Sequence, residues 1–341
     1  MIIDLSDTTS AEISKKIVAL REQHGVVTLG RVLTLVVVTR VGLEAEAIDA
    51  ANEASREHPC RIIVLADGGA SAPNRLDAQI RVGGDAGASE VIIVRGYGEL
   101  ATESESVVSA LLLPDAPIVA WWPGDAPANI GETSIGRIAH RRITDSANVA
   151  DPLAALENIR NTYRAGDTDL AWTRLTNWRT QLAAALDHVD SAPVTAVTVA
   201  GASDSPSTLL LAAWLQLCLQ VPVTVVAEPA GTGIRSVRLC RETGDVQLLR
   251  PGRSVAELTQ PGQPTQRISL PRPPSRAASP RSSGGSTPTR YSVRRFAVSM
   301  PAGWRARRRR NVVRRCRSRH RRVDLLLPDP VAVCQRNSLG A

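Results

Sequence analysis

Apolar residues recur along this chain in two rhythms, one of period near 3.6 and one of short continuous runs, and their alternation lays out the architecture. In TTSAEISKKIVALREQ (8–23), Ile13, Ile17 and Leu20 fall at spacings of four and three and share one face of a helix, with Ser10 as its expected N-cap. RVLTLVVVTR (31–40) is instead continuously apolar and β-branched, the pattern of a strand buried on both faces of a mostly parallel sheet. LEAEAIDAANEASREH (43–58) reads as a helix and RIIVLAD (61–67) as a second strand, which completes a βαβ unit. LDAQIRV (76–82) alternates and predicts an edge or half-exposed strand, and EVIIVRG (90–96) predicts another buried one. A helix is expected over roughly 98–113, then a strand in APIVAWWPGDAP (116–127) that ends in paired tryptophans and a Pro-Gly turn.

A second series follows. Asp151 and Pro152 supply an N-cap and a first-turn proline for a helix that stops at Gly166. DTDLAWTRLTNWRTQLAAALDHV (167–189) predicts one long helix entered through an acidic cap. After it come a strand at 194–201, a helix at 205–220, a strand at 223–227, and two hairpin strands, 234–242 and 245–250, joined across Gly244. Strands alternating with helices imply two α/β domains with mostly parallel sheets, spanning 1–150 and 151–274.

Composition changes the picture at the C-terminus. The 341 residues, 43% hydrophobic, are enough for about two domains at ~100–200 residues each. The formal charge of +8 is unevenly spread: residues 276–341 hold 17 arginines against Asp324 and Asp329, a net of +15, so residues 1–275 carry −7. The body is acidic and the basic character belongs to the tail. Lys15 and Lys16 are the only lysines, a bias that suggests a GC-rich genome. Cys60, Cys218, Cys240, Cys316 and Cys334 are widely spaced, with no CxxC pair and no nearby histidine cluster, so neither a metal site nor a disulfide framework is expected. Asp4 and Asp7 stand where a secretion signal needs positive charge, and the apolar segment Leu209 to Leu219 falls short of the ~20 residues of a bilayer span. The expected location is the cytoplasm.

The motifs assign no catalytic residue, cofactor or metal. The first strand is followed by TRVGLEAEA, with Gly42 alone where a dinucleotide fingerprint needs GxGxxG. In AGASDSPS (200–207), Ser203, Ser205 and the backbone amides could cradle a phosphate; the plainer reading is that a serine or Asp204 caps the helix ahead of Pro206. His24, His58, His140, His188 and His320 form no HExxH, and no GxSxG elbow is present. His58, before Pro59, reads as a helix terminator rather than a base. The acid pairs Glu103/Glu105 and Asp167/Asp169 are two apart and would not face each other on a helix.

The tryptophans stand out in a body with no Phe. Trp172 and Trp178, six apart, lie roughly 120° from each other on a helix of ~3.6 residues per turn, so one is expected inward and the other at an interface. Arg174 and Arg179 flank them and suit an acidic partner or a phosphorylated ligand. HPCRIIVLAD (58–67), PDAPIVAWWPGDAP (114–127) and DTDLAWTRLTNWR (167–179), in this order, make residues 1–274 resemble the actinobacterial and cyanobacterial glucose-6-phosphate dehydrogenase assembly protein family, OpcA. The resemblance implies a non-catalytic partner that promotes the active oligomer of that dehydrogenase in the oxidative pentose phosphate pathway. The partner contact is then expected on Trp172, Arg174, Trp178 and Arg179, with Trp121 and Trp122 near it, because Trp and Arg are enriched at binding hot spots. The alternative is a sugar-phosphate-binding enzyme of an α/β fold using the AGASDSPS loop.

The tail, 275–341, reads as disordered, Arg-rich and out of frame. GC-rich codons that spell LAEELRRLDPDE, with leucines at i, i+4 and i+7, spell SPRSSGGSTPTR (279–290) when read one base later, over the whole stretch. A frameshift near codon 275 accounts for both. On this reading the arginines do not mark a native nucleic-acid partner, although such a tail would bind polyanions with steep salt dependence.

Overall fold

The computed structural model describes residues 1–24, 31–56, 59–82, 90–101 and 104–272. They divide into a first unit, Met1–Ala150 with Glu157–Leu170, and a second, Asp151–Leu156 with the described chain from Ala171 onward.

The first unit is built on eight strands: β1 (Ile2–Leu5), β2 (Leu33–Arg40), β3 (Cys60–Asp67), β4 (Arg75–Arg81), β5 (Glu90–Tyr97), β6 (Ile118–Trp121), β7 (Arg141–Thr144) and β8 (Asp167–Asp169). Their order is β1-β4-β5-β3-β2-β6-β7-β8. From β5 through β8 every pair is parallel, while β1 and β4 pair antiparallel with their neighbours. Alternating side chains feed two cores. Val36, Ile63, Ile92 and Ala120 pack beneath Ile13, Ile17 and Leu20 of α1 (Ser10–His24), whereas Val37, Ile62, Ile93 and Val119 pack against Ala47, Ile48 and Ala51 of α2 (Glu44–Ser55). Burial on both faces is why these strands read as unbroken apolar runs.

Several expectations shift. The α1 cap is Thr9, one residue earlier than Ser10: its hydroxyl accepts from the Glu12 amide, and the Glu12 carboxylate accepts from the Thr9 amide, a closed capping box. β4 is half-exposed as expected but not an edge, because the short β1 pairs outside it. The helix expected over 98–113 contracts to a 3-10 turn, Gly98–Ala101, and α3 (Ser104–Ser109). α4 (Ser134–Ile138) and α5 (Pro152–Thr162) follow, and the Asp151 side chain caps α5 by accepting from the Ala154 amide.

The single long helix expected at 167–189 is instead β8, α6 (Leu170–Thr173) and α7 (Thr176–Asp187). The acids that looked like a cap serve the sheet edge. Asp167 pairs with Arg142, and Asp169 accepts from the Thr144 hydroxyl and from the Ser146 amide and hydroxyl.

The second unit carries six strands, β9 (Val194–Ala202), β10 (Val223–Glu228), β11 (Ile234–Arg241), β12 (Val246–Leu249), β13 (Val255–Thr259) and β14 (Gln266–Ser269), in the order β10-β9-β11-β12-β13-β14. This corrects the expectation of a second mostly parallel sheet: β9 and β10 are its one parallel pair, and all other pairs are antiparallel. Only that pair is joined by a crossover helix, α8 (Pro206–Leu219); the hairpin connections after β11 dictate antiparallel pairing. α7 and α8 close one face over Val197, Val199, Val237, Leu239 and Leu248. No helix among the described residues is long and apolar enough to cross a membrane.

Candidate functional site

The six residues expected at a partner contact separate by burial. Trp121 and Trp122 are 1% and 2% exposed and, as consecutive residues at the end of a strand, point to opposite faces of the first sheet, one into each core. Trp178, 3% exposed on α7, is part of the second core with Leu175 and Leu182. These three offer no surface to a partner. Trp172, Arg174 and Arg179 are half-buried, and with Trp214 of α8, also half-buried, they define the accessible part of the set.

Arg179 is the centre of this group. Its guanidinium lies 4.0 Å from the Trp172 ring centroid and 5.9 Å from that of Trp214, an arginine between two indoles. One of its terminal nitrogens donates to the Thr176 hydroxyl at 3.4 Å, while its Nε is sealed from solvent without an acceptor. Burial pushes the Arg179 guanidinium below its ordinary value. α8 explains why the rings are not simply core: Leu211, Ala212 and Leu215 take the inner face, while Leu210, Ala213 and Trp214 on the outer side are half-buried and Leu217 is 49% exposed. A helix apolar all round presents its outer side for burial by something else. Sequence reasoning had no means to join Trp214 to Arg179, because their contact spans two helices and the strand β9 between them.

The other candidates take structural roles. Ser205 caps α8, its hydroxyl accepting from the Thr208 amide, with Pro206 in the first turn. The first βα turn is occupied by Glu44, whose carboxylate accepts from the Gly42 amide and pairs with Arg95 at 2.9 Å. Burial works to raise the Glu44 carboxyl, but the amides of Glu44 and Gly42 and the Arg95 guanidinium together hold it below the ordinary carboxylate value. A carboxylate there opposes an anionic phosphate. His140 Nδ1 accepts from the Ile118 amide, and His188 bonds Ala184 O. His58, Glu103 and His320 lie outside the described residues, as does the tail, 275–341. Among the described residues no group of three or more His, Cys, Asp or Glu is placed to hold a metal.

Comparison with known proteins adds the family. No curated protein sequence matches the chain. Among solved structures, a mutant of a 3-ketoreductase from Actinomadura kijaniata aligns over 70% of this chain and 84% of its own, at 10% identity and a TM-score of 0.39, a likeness too slight to carry an argument. Two family profiles of the glucose-6-phosphate dehydrogenase subunit match in succession: that of its N-terminal domain over residues 51–161 and that of its C-terminal domain over residues 165–279. The second match ends within a few residues of the place where the sequence pattern breaks. The chain therefore belongs to the glucose-6-phosphate dehydrogenase assembly family, OpcA.

Proposed function

We propose that this protein is a non-catalytic assembly factor and allosteric activator of glucose-6-phosphate dehydrogenase, which raises flux through the oxidative pentose phosphate pathway in the cytoplasm by favouring the enzyme's active oligomer. The supporting observation is the arginine held between two tryptophans on a helical surface that is apolar on its outer side. Trp172, Arg179 and Trp214 form the core of this contact, with half-buried Arg174 and exposed Leu217 as its further candidate members. Trp178, Trp121 and Trp122 contribute only as core, each by keeping its own unit rigid.

An activator of this kind acts only through its preference for the active state of the enzyme. The test is dehydrogenase activity and oligomer size with and without the protein, for wild type, Trp172→Ala and Arg179→Ala. Full activation by both folded variants would place the contact elsewhere; no effect of the wild type on either readout would sink the function. The tail from residue 275 is, on our reading, out of frame, and resequencing the locus decides it. A confirmed single frame through Ala341 removes that proposal.

A further inference from the structure

Four arginines are nearly or fully buried among the described residues: Arg61, Arg142, Arg241 and Arg250. Arg61 pairs with Glu90, Arg142 with Asp167 and Arg241 with Asp190. Arg250, 7% exposed, pairs with no carboxylate among the described residues. One terminal nitrogen donates to Ile234 O at 2.6 Å and the guanidinium carbon stands 5.2 Å from the Trp178 ring centroid. None of its nitrogens is sealed from solvent without an acceptor, so the donors that Ile234 does not use keep some contact with solvent. A desolvated cation without an anion is an expensive thing for a fold to keep.

A second arginine aggravates the cost. Arg272 donates to Gly231 O, three residues before Ile234 in the same loop, and its charge acts on Arg250. Burial first, and Arg272 second, push the Arg250 guanidinium down to about 10. Arg272 is itself lowered by burial and then by Arg253, against a smaller opposing effect of Asp204. Asp204, which accepts from the Gly231 amide at 3.0 and 3.1 Å, keeps its charge and offsets Arg272 only in part, so the balance at the loop stays positive with Arg250 and Arg253. The loop in question follows β10, and Ser203–Ser205 follows β9; both leave the C-terminal ends of the one parallel pair in this sheet, where open α/β sheets gather ligands. α8 starts there with the positive end of its dipole.

We infer that Arg250 and Arg272, at the Gly231–Ile234 loop beside the start of α8, form a binding site for a small oxyanion of the phosphate class. Two planar forks match a tetrahedral oxyanion, and the outer donors of a nearly buried Arg250 admit a small group rather than a protein surface. The exposed Arg253 adds positive field at the rim, whereas Arg235 is paired with Glu228 at 3.9 Å. The site lies on the unit that carries the proposed partner contact, but its existence does not depend on that contact.

The test is calorimetric titration of the full chain with inorganic phosphate, glucose 6-phosphate and uncharged glucose at constant ionic strength. Every variant keeps the arginines after residue 275, so their contribution cancels in the comparison. Wild type should bind one phosphate-bearing molecule per chain beyond what Arg272→Ala binds, with Arg272→Ala at least about tenfold weaker and Arg250→Gln weaker still. Glucose should not bind. Tighter binding of inorganic phosphate identifies the free ion as ligand; tighter binding of glucose 6-phosphate identifies an ester. Superimposable isotherms for wild type and Arg272→Ala, or no phosphate binding by wild type, overturn the proposal; if Arg250→Gln fails to fold, the more exposed Arg272 decides alone. No dehydrogenase is present, so this outcome and that of the assembly experiment are read separately.

Discussion

In the first unit Val36 and Val37 lie back to back and enter different cores, one under α1 and one under α2, whereas in the second Val197, Val199, Val237 and Leu239 all enter the same core and the neighbouring Arg238 faces out exposed. The arginines differ in the same sense. Arg61 and Arg142 in the first unit sit against Glu90 and Asp167, while in the second, although Arg241 is paired with Asp190, Arg179, Arg250 and Arg272 rest on tryptophan faces, a hydroxyl and carbonyl oxygens. A sheet covered on both faces closes its own electrostatics, since every buried charge must find its counterion within the unit. A sheet covered on one face leaves surface and cations available to other molecules. On this contrast we propose that recognition belongs to the second unit.

The sharpest way to break the contrast is to unpair the first unit. Glu90→Ala leaves Arg61 and Arg31 facing an empty place in the core and should lower stability by ~3–5 kcal/mol in urea melts. A loss below about 1 kcal/mol would mean that the pair is not what closes that sheet.

Within the second unit, Trp178→Ala should cost a similar ~3–5 kcal/mol through the cavity it leaves. Trp172→Ala should cost far less stability and act instead on activation of the dehydrogenase. Equal losses of stability would erase the distinction between core and contact tryptophans. Arg179→Ala follows in size: it should weaken activation by ~2 kcal/mol, a shift of roughly thirtyfold in the half-maximal concentration, while the thermal midpoint hardly moves.

Smaller still are the caps, a device the two units share. Thr9→Ala and Ser205→Ala should each cost ~1 kcal/mol in urea melts, and a much larger loss in one of them would show that helix to be the weaker element. The least change at neutral pH is expected from Arg250→Met, within about 1 kcal/mol of wild type, because a cation without a counterion is replaced by an apolar chain. Its pH dependence carries the information. The folded guanidinium is lowered to about 10, below the ordinary arginine value that it keeps in the unfolded chain, so its charge penalises folding at lower pH and the penalty fades as pH rises through 10 towards that ordinary value. Wild type should therefore gain stability relative to Arg250→Met as pH is raised through about 10, and a parallel pair of curves would mean that the guanidinium is compensated after all.

Much of the first unit is legible in the sequence because strands buried on both faces and Ala-rich helices write long patterns. β1, β7 and β8 are not, being four residues or fewer, too short to show a period. DTDLAWTRLTNWR reads as one helix because its composition is helical, and it folds as a strand and two helices because Asp167 and Asp169 satisfy Arg142, Thr144 and Ser146 across the sheet edge. The proposed contact is only partly legible. Its Trp and Arg residues stand out in the sequence, yet burial removes Trp121, Trp122 and Trp178 from the surface and tertiary contact adds Trp214.

What the amino-acid order determined by itself is what depends on neighbours a few positions away: the alternation of strand and helix, the caps at Asp151 and ahead of Pro206, the division between an acidic body and a basic tail, and the family signature. What only the tertiary structure decided is what depends on distant partners. The direction of the second sheet's strands follows from which connections cross over, the fate of each tryptophan from which face a helix turns to the sheet, and the state of each arginine from whether a carboxylate far along the chain arrives beside it. For Arg61 one does, from Glu90; for Arg250 none does among the described residues, and a terminal nitrogen donates to Ile234 O instead.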